Sequence, residues 1–125
     1  MNSYEEYIRQ FAERPIPNFY KLVNAPVKID KILAGGEAIV LEEGMTLSAA
    51  EVPGHSRGAM AYCLDNGKVK ALFTGDSIPA KGDLPIFTDS GKSKETLEKI
   101  RRMQGIDCYY PAWDRVYVRD EISDI

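Results

Sequence analysis

The chain has 125 residues, 44% of them hydrophobic, and 16 Lys plus Arg against 19 Asp plus Glu give a net charge of -3. This length suits one hydrophobic core and is too short to suggest two domains, so we expect one globular unit over residues 1–125. The interspersed charges argue against a nucleic-acid partner, and the absence of a long apolar run or an apolar signal segment predicts a cytoplasmic protein with no membrane partner.

The N-terminal segment, residues 1–17, is predicted to form a helix and a linker. Ser3 and Glu6 have the spacing of a capping box, and apolar side chains then recur at helical spacing, which predicts an amphipathic helix over residues 3–13. Two prolines end this helix. Residues 18–30 alternate only in part, so we interpret them as a connector with at most a short strand.

Four strands are predicted in the middle of the chain. They span residues 38–41, 46–52, 59–64 and 69–73. The clearest local signal is Asn66-Gly67 between the third and fourth runs, because Asn-Gly suits the positive backbone angles of a tight hairpin turn. These two strands are therefore predicted to be an antiparallel pair.

A helix is predicted over residues 93–104, with Ser93 as its N-cap and Gly105 as its stop. Its buried face is expected to carry Leu97, Ile100 and Met103. Strand character resumes over residues 107–110, and a strand, a helix and a strand in that order favour a right-handed crossover with parallel strands.

Loops that carry polar side chains are predicted to converge at one edge of this sheet. A hairpin returns its outer ends to the same side, and His55 precedes its first strand while Asp76 follows its second. If the last strand is parallel to residues 69–73, it brings Asp114 to the same edge. Ligand sites in layered α/β proteins commonly form from such loops, and we expect residues 78–90 to border the substrate.

Two segments of the chain resemble the second half of metallo-β-lactamase-superfamily hydrolases. They are the loop Val52-Pro53-Gly54-His55-Ser56-Arg57-Gly58-Ala59 and the strand end Leu72-Phe73-Thr74-Gly75-Asp76-Ser77. The resemblance covers residues 27–119 and implies an α/β (α+β) fold. The implied architecture is half of an αββα sandwich, with one mixed β-sheet and helices on one face.

In that family the equivalent of His55 is a ligand of one metal ion, and the equivalent of Asp76 bridges two. The late strand end that often carries a histidine reads Pro-Ala-Trp-Asp here, so we predict Asp114 as a substitute ligand. The family's His-x-His-x-Asp-His motif is absent, because His55 is the only histidine. Zinc, or manganese or iron, is therefore expected in the intact domain together with a small-molecule substrate, and we predict little metal binding and no activity for this chain alone.

A missing first half implies that one face of the sheet is left bare. Exposed apolar sheet surface is usually covered by a partner, so we expect a homo-oligomer or pairing with a complementary N-terminal half. The alternative function is a non-catalytic interaction and oligomerisation module derived from the same fold.

Three single motifs have other interpretations. Gly54 to Gly58 fits the Gly-x-Ser-x-Gly elbow of serine hydrolases with Ser56 as nucleophile, but no second histidine is present and a hairpin replaces the required helix. Gly91-Lys92-Ser93 resembles the end of a phosphate-binding loop without its leading glycine. Trp113 is interpreted as core or interface packing rather than as a substrate platform.

Overall fold

The computed structural model describes residues 28–124. Its elements, in chain order, are β1 (Ala38–Glu42), β2 (Met45–Glu51), β3 (Met60–Asp65), β4 (Lys70–Gly75), α1 (Ser90–Arg102), β5 (Cys108–Pro111), β6 (Tyr117–Val118) and a 3-10 helix (Arg119–Asp124). The predicted helix over residues 3–13 lies outside the described residues, as does most of the predicted connector. Within residues 28–124, no helix has the length and apolar character needed to cross a membrane.

The strands form one six-stranded mixed sheet in the order β1-β2-β3-β4-β5-β6. Every neighbouring pair is antiparallel except β4 and β5, which are parallel as predicted. The predicted hairpin is confirmed: Asn66 Oδ1 accepts hydrogen bonds from the backbone N–H groups of Lys68 and Val69, and Gly67 has a φ of 80°. β6 and the 3-10 helix were not predicted, because a two-residue strand has too little periodicity to be recognised.

Helix α1 begins three residues before the predicted start. Its N-cap is Asp89, whose side chain accepts a hydrogen bond of 3.0 Å from the backbone N–H of Lys92. Ser93 lies inside the first turn and is buried, so the prediction that Ser93 caps the helix is wrong. Asp is one of the preferred N-cap residues, so the sequence did contain the correct signal.

The main core lies between α1 and one face of the sheet. Ile100 of α1 belongs to a cluster of buried residues together with Leu72 of β4 and Tyr109 of β5, and Leu97 and Met103 pack against this cluster. Leu72 and Tyr109 are register partners in the parallel pair, and such partners share a face. The predicted arrangement of one mixed sheet with its helix on one face is confirmed.

The opposite face is covered only in part. Near β1 to β3 it carries a small buried cluster of Leu33, Ala49 and Met60. Near β4 to β6 it presents Phe73, Tyr110 and Val118, which are 40%, 38% and 55% exposed. The rings of Phe73 and Tyr110 stack with their centroids 4.9 Å apart. We call these last three residues the open sheet face.

Candidate functional site

His55 and Asp76 meet at the edge of the sheet where β3 begins and β4 ends. His55 Nε2 lies 3.4 Å from Asp76 Oδ2, and both side chains are partly exposed. Two hydrogen bonds fix the loops that carry them: Ser77 Oγ donates to the carbonyl of Val52 over 3.3 Å, and Ala112 N–H donates to the carbonyl of Gly75 over 3.0 Å. The predicted convergence of these two residues is therefore observed.

The loop before His55 is held against the N-terminus of α1. The carbonyl of Gly54 accepts hydrogen bonds from the backbone N–H groups of Thr88 and Asp89, over 2.8 and 3.1 Å. Gly54 has a φ of 135°, and a Cβ atom at this position would lie 2.4 Å from Ser93 Cα. Thr96 Oγ1 donates to the carbonyl of Pro53 over 2.6 Å. Only glycine fits this close approach of loop and helix.

The hydrogen bonding of His55 defines its tautomer. Nδ1 lies 2.9 Å from the carbonyl oxygen of Ile86. A carbonyl oxygen only accepts, so Nδ1 carries the proton and donates. In the neutral imidazole, Nε2 is then an unprotonated acceptor that faces the carboxylate of Asp76. Two acceptors face each other across this gap, an arrangement that a proton or a metal cation between them would stabilise.

Trp113 contacts the other oxygen of Asp76, because its indole Nε1–H donates to Oδ1. The indole is largely exposed, so of the two interpretations of Trp113, core packing is wrong and interface packing stays a prediction. Asp76 is consequently fixed from two sides, with Oδ1 on the indole and Oδ2 toward His55. This contact could not be predicted from the sequence, since it depends on how the turn after β5 is folded.

Asp114 does not join the pair. Its Oδ2 accepts a hydrogen bond from the hydroxyl of Tyr117 and one of 2.8 Å from the backbone N–H of Lys81, and its Oδ1 accepts one of 2.7 Å from the N–H of Arg115. The Tyr117 hydroxyl and these backbone donors lower the pKa of Asp114 from 3.8 to about 2. The prediction that Asp114 is a metal ligand gains no support from this arrangement, in which Asp114 links three segments of chain.

A cavity of about 370 Å³ opens beside the His55–Asp76 pair. Its remaining lining residues are Ile78, Pro79, Ala80, Asp83, Leu84, Ile86 and Trp113. Most of them belong to residues 78–90, the loop that was expected to border the substrate. The pair, this loop and the turn after β5 thus enclose one cleft.

The pair has the geometry of two ligands on one metal ion. Tetrahedral zinc with bonds of about 2.0–2.2 Å places any two donor atoms roughly 3.4 Å apart. His55 Nε2 and Asp76 Oδ2 are separated by 3.4 Å. Over residues 28–124, however, no group of three or more His, Cys, Asp or Glu residues could hold a metal ion. Within residues 28–124, the pair therefore matches two ligand positions of one metal ion and does not complete a site.

The loop around Ser56 lacks the structure of a serine-hydrolase elbow. That elbow requires a strand, a sharp turn and then a helix. Here β2 leads through the loop into β3, which begins at Met60. The loop around Ser56 therefore does not form a serine-hydrolase elbow. Gly91 and Lys92 lie within the first turn of α1 and follow no strand directly, so they do not form a phosphate-binding loop either.

Two curated proteins are similar to the chain in sequence. The lactamase-like protein nscB of Aspergillus fumigatus is 32% identical over 106 residues, which cover 85% of this chain and 29% of that protein. The hydroxyacylglutathione hydrolase of Crocosphaera subtropica is 32% identical over 88 residues, which cover 62% of this chain and 34% of that protein. The chain thus matches about a third or less of each relative's length. No protein-family model matches the chain.

Solved structures with this fold are metallo-β-lactamase-type proteins. The B3 metallo-β-lactamase BLEG-1 has a TM-score of 0.67 at 19% identity, and the similarity covers 100% of this chain and 61% of that one. An archaeal superfamily protein from Sulfolobus tokodaii has a TM-score of 0.60 at 22% identity, covering 94% of this chain and 48% of that one. The resemblance recognised in the sequence is confirmed by both kinds of comparison.

Replacing Gly54 should disrupt the site through the contact with α1. Gly54→Ala adds strain at a positive φ, which costs about 1–3 kcal/mol, and also overlaps the helix backbone at Ser93. Gly67→Ala is the matched control, because Gly67 has a φ of 80° and no atom within 4 Å of its added Cβ. Urea unfolding should show a larger loss of stability for Gly54→Ala. Equal losses in the two variants would contradict the role of this contact.

The hydrogen bonds to Asp114 predict an acid-dependent stability. Its pKa is lowered by folding, so the charged carboxylate stabilises the native state above the unfolded value of 3.8, and this contribution is lost as pH falls toward 2. We expect Asp114→Asn to be less stable than the parent protein at neutral pH. As pH falls from 3.8 toward 2, its free energy of unfolding should decrease less than that of the parent protein. Unfolding curves measured at several pH values test this, and parallel profiles for the two proteins would contradict it.

Proposed function

We propose, from the metallo-β-lactamase-type fold and sequence similarity that this chain has, that it supplies two ligands to the site of a metal-dependent hydrolase. His55 and Asp76 are these ligands. The remaining ligands come from polypeptide outside residues 28–124. In this proposal the chain alone is inactive, because a catalytic zinc normally takes three protein ligands and keeps one position for water.

One observation carries this proposal: Nε2 of His55 lies 3.4 Å from a carboxylate oxygen of Asp76, a ligand-to-ligand distance, while Nδ1 is bound to a backbone carbonyl. Metal-binding histidines usually donate their other ring N–H to a backbone carbonyl, which fixes the tautomer and the ring orientation. The Ile86 carbonyl has this position relative to His55 Nδ1. Trp113 similarly orients Asp76 by binding its Oδ1, which leaves Oδ2 directed at the imidazole.

The chain's own residues hold and orient the metal-facing atoms. Gly54 and its hydrogen bonds to the start of α1 set the position of the His55 backbone. When bound, the metal would supply an acidified water as hydroxide for attack on a carbonyl. Asp83 adds a further carboxylate on the cavity wall. The remainder of the cavity lining is largely apolar.

Zinc binding by tag-free protein tests the proposal. His55 is the chain's one histidine and Trp113 its one tryptophan, so the imidazole resonances and the indole fluorescence are both single-site reporters. We expect zinc to perturb both signals with weak affinity. His55→Ala should weaken the zinc affinity by more than about 10-fold. Loss of a residue that only orients a ligand already costs about that much, and loss of the ligand itself should cost more.

The matched control is Glu95→Gln, which removes an exposed carboxylate on α1 and leaves the cavity unchanged. It should bind zinc like the parent protein. Zinc affinity that is unchanged in His55→Ala would contradict the assignment of the ligand. Zinc that stays bound one-to-one through desalting of the tag-free chain would contradict the claim that the site is incomplete.

The open sheet face supports a second candidate function, that of a non-catalytic interaction module. Phe73 and Tyr110 stack on each other and remain more than a third exposed, on a face that no helix within residues 28–124 covers. Contiguous apolar surface of this kind is typical of a protein interface. The partner is a second copy of the chain or a complementary first half, and it would cover the face in either candidate function.

Light scattering of the purified chain tests self-association through this face. We expect an oligomer that dissociates at least about tenfold more readily in Phe73→Ser, because burial of a Phe side chain contributes about 1.5–3 kcal/mol. Val40→Ser is the control, because Val40 is an exposed apolar residue whose register partners place it on the opposite face. A parent protein that stays monomeric at all concentrations would exclude self-association and leave the complementary half as the partner.

A further inference from the structure

The cleft beside His55 and Asp76 has an unusually apolar rim. Among residues 28–124, Leu84, Ile86 and Trp113 are the most exposed large hydrophobic side chains, at 90%, 79% and 76%. All three line the same cavity. Single exposed apolar residues are common on protein surfaces, but a convergent group beside polar side chains is typical of a binding site.

This rim is held in place by the rest of the structure. The loop that carries Leu84 is tied to the turn after β5 by the hydrogen bond from Lys81 N–H to Asp114. Two residues beyond Leu84, the Ile86 carbonyl is bound by His55. On the facing wall, the Trp113 indole is fixed by Asp76. The cavity floor is Ile78, which is fully buried in the core. A rim tethered on both sides loses little conformational freedom when a ligand binds.

Two of the polar groups of the cleft, His55 and Asp76, lie together. Asp83 is the other ionisable residue of the lining. Two carboxylates disfavour an anionic group in the cleft, so an uncharged acyl compound is favoured there over an anionic one. The volume of about 370 Å³ is within the range of small-molecule sites.

We infer that this cleft binds small neutral acyl compounds, with the carbonyl toward His55–Asp76 and an apolar acyl chain against Leu84, Ile86 and Trp113. The orientation of the carbonyl rests on the proposed function. The binding of the acyl chain does not, because it depends only on the apolar walls. The specificity of the site is therefore set by the length and shape of the acyl chain.

A series of N-methylalkanamides tests the inference with tag-free protein in the presence of a chelator. Butanoyl, hexanoyl and octanoyl amides are titrated while the fluorescence of Trp113 is recorded, with N-methylacetamide as the reference for the head group. Each methylene buried against the walls contributes about 0.8 kcal/mol, so affinity should rise by up to about fourfold per methylene until the cleft is full. Equal affinity across the series would overturn the inference.

Variants on two surfaces locate the binding. Leu84→Ser should reduce the increase of amide affinity with chain length. Because Leu84 is exposed, this variant should still fold, and circular dichroism checks that it does. Val118→Ser changes an exposed apolar residue on the open sheet face and should leave the dependence unchanged. If the dependence of affinity on chain length were lost in Val118→Ser and kept in Leu84→Ser, the amides would bind at the open sheet face. This result would overturn the inference.

Failure of this inference is distinguishable from failure of the proposed function. The chelator removes metal from the amide titrations, so a protein that does not bind zinc still shows the dependence on chain length if the inference is correct. Conversely, a normal zinc titration together with a flat amide series would reject the acyl cleft and leave the ligand assignment of His55 and Asp76 intact.

Discussion

The close contact between Gly54 and the first turn of α1 is the constraint on which the site depends. Its carbonyl is bound by backbone N–H groups at the helix start, and there is no space for a side chain against Ser93. Helix N-termini have unsatisfied donors. Here the loop carbonyl takes the N–H of the N-cap residue Asp89, together with that of Thr88 just before it, while the Asp89 side chain takes the N–H of Lys92. The next residue along the chain is His55. The helix therefore sets the position of the imidazole through backbone contacts.

Asp76 is positioned by a different route, through strand pairing. β4 ends at Gly75, and the parallel neighbour β5 delivers Trp113 to the same edge, where the indole binds the carboxylate. The two residues of the pair thus depend on separate parts of the fold: His55 on the helix contact and Asp76 on the parallel strands. Their separation of 3.4 Å requires both parts to be formed. An isolated hairpin would carry the same residues without this geometry.

Much of the fold was predictable from the sequence, because strong local signals and the global topology agree. Asn66-Gly67 defined the hairpin, and the change from strand to helical spacing led to the parallel pairing of β4 and β5. The site was predictable where it follows from topology, as for His55 and Asp76. It was not predictable where it depends on side-chain contacts across loops. Two such contacts are the hydrogen bond from Trp113 to Asp76 and the hydrogen bond from His55 to the Ile86 carbonyl. The hydrogen bond from the neighbouring Arg115 N–H to Asp114 could not be read from the spacing of residues either.

The open sheet face adjoins the rim where the His55–Asp76 pair lies. The register partners Phe73 and Tyr110 lie two and one residues before Gly75 and Pro111, where the chain turns into the rim that carries Asp76 and Trp113. A polypeptide that packed on this apolar face would therefore pass close to the rim that carries the His55–Asp76 pair. In the proposed assembly, sheet packing would supply the free energy of association, and ligands delivered at the rim would add to it only when the covering polypeptide has the correct register. Assembly and completion of the metal site would then be one event, because the same interface that buries the aromatic stack brings donor atoms within reach of the pair.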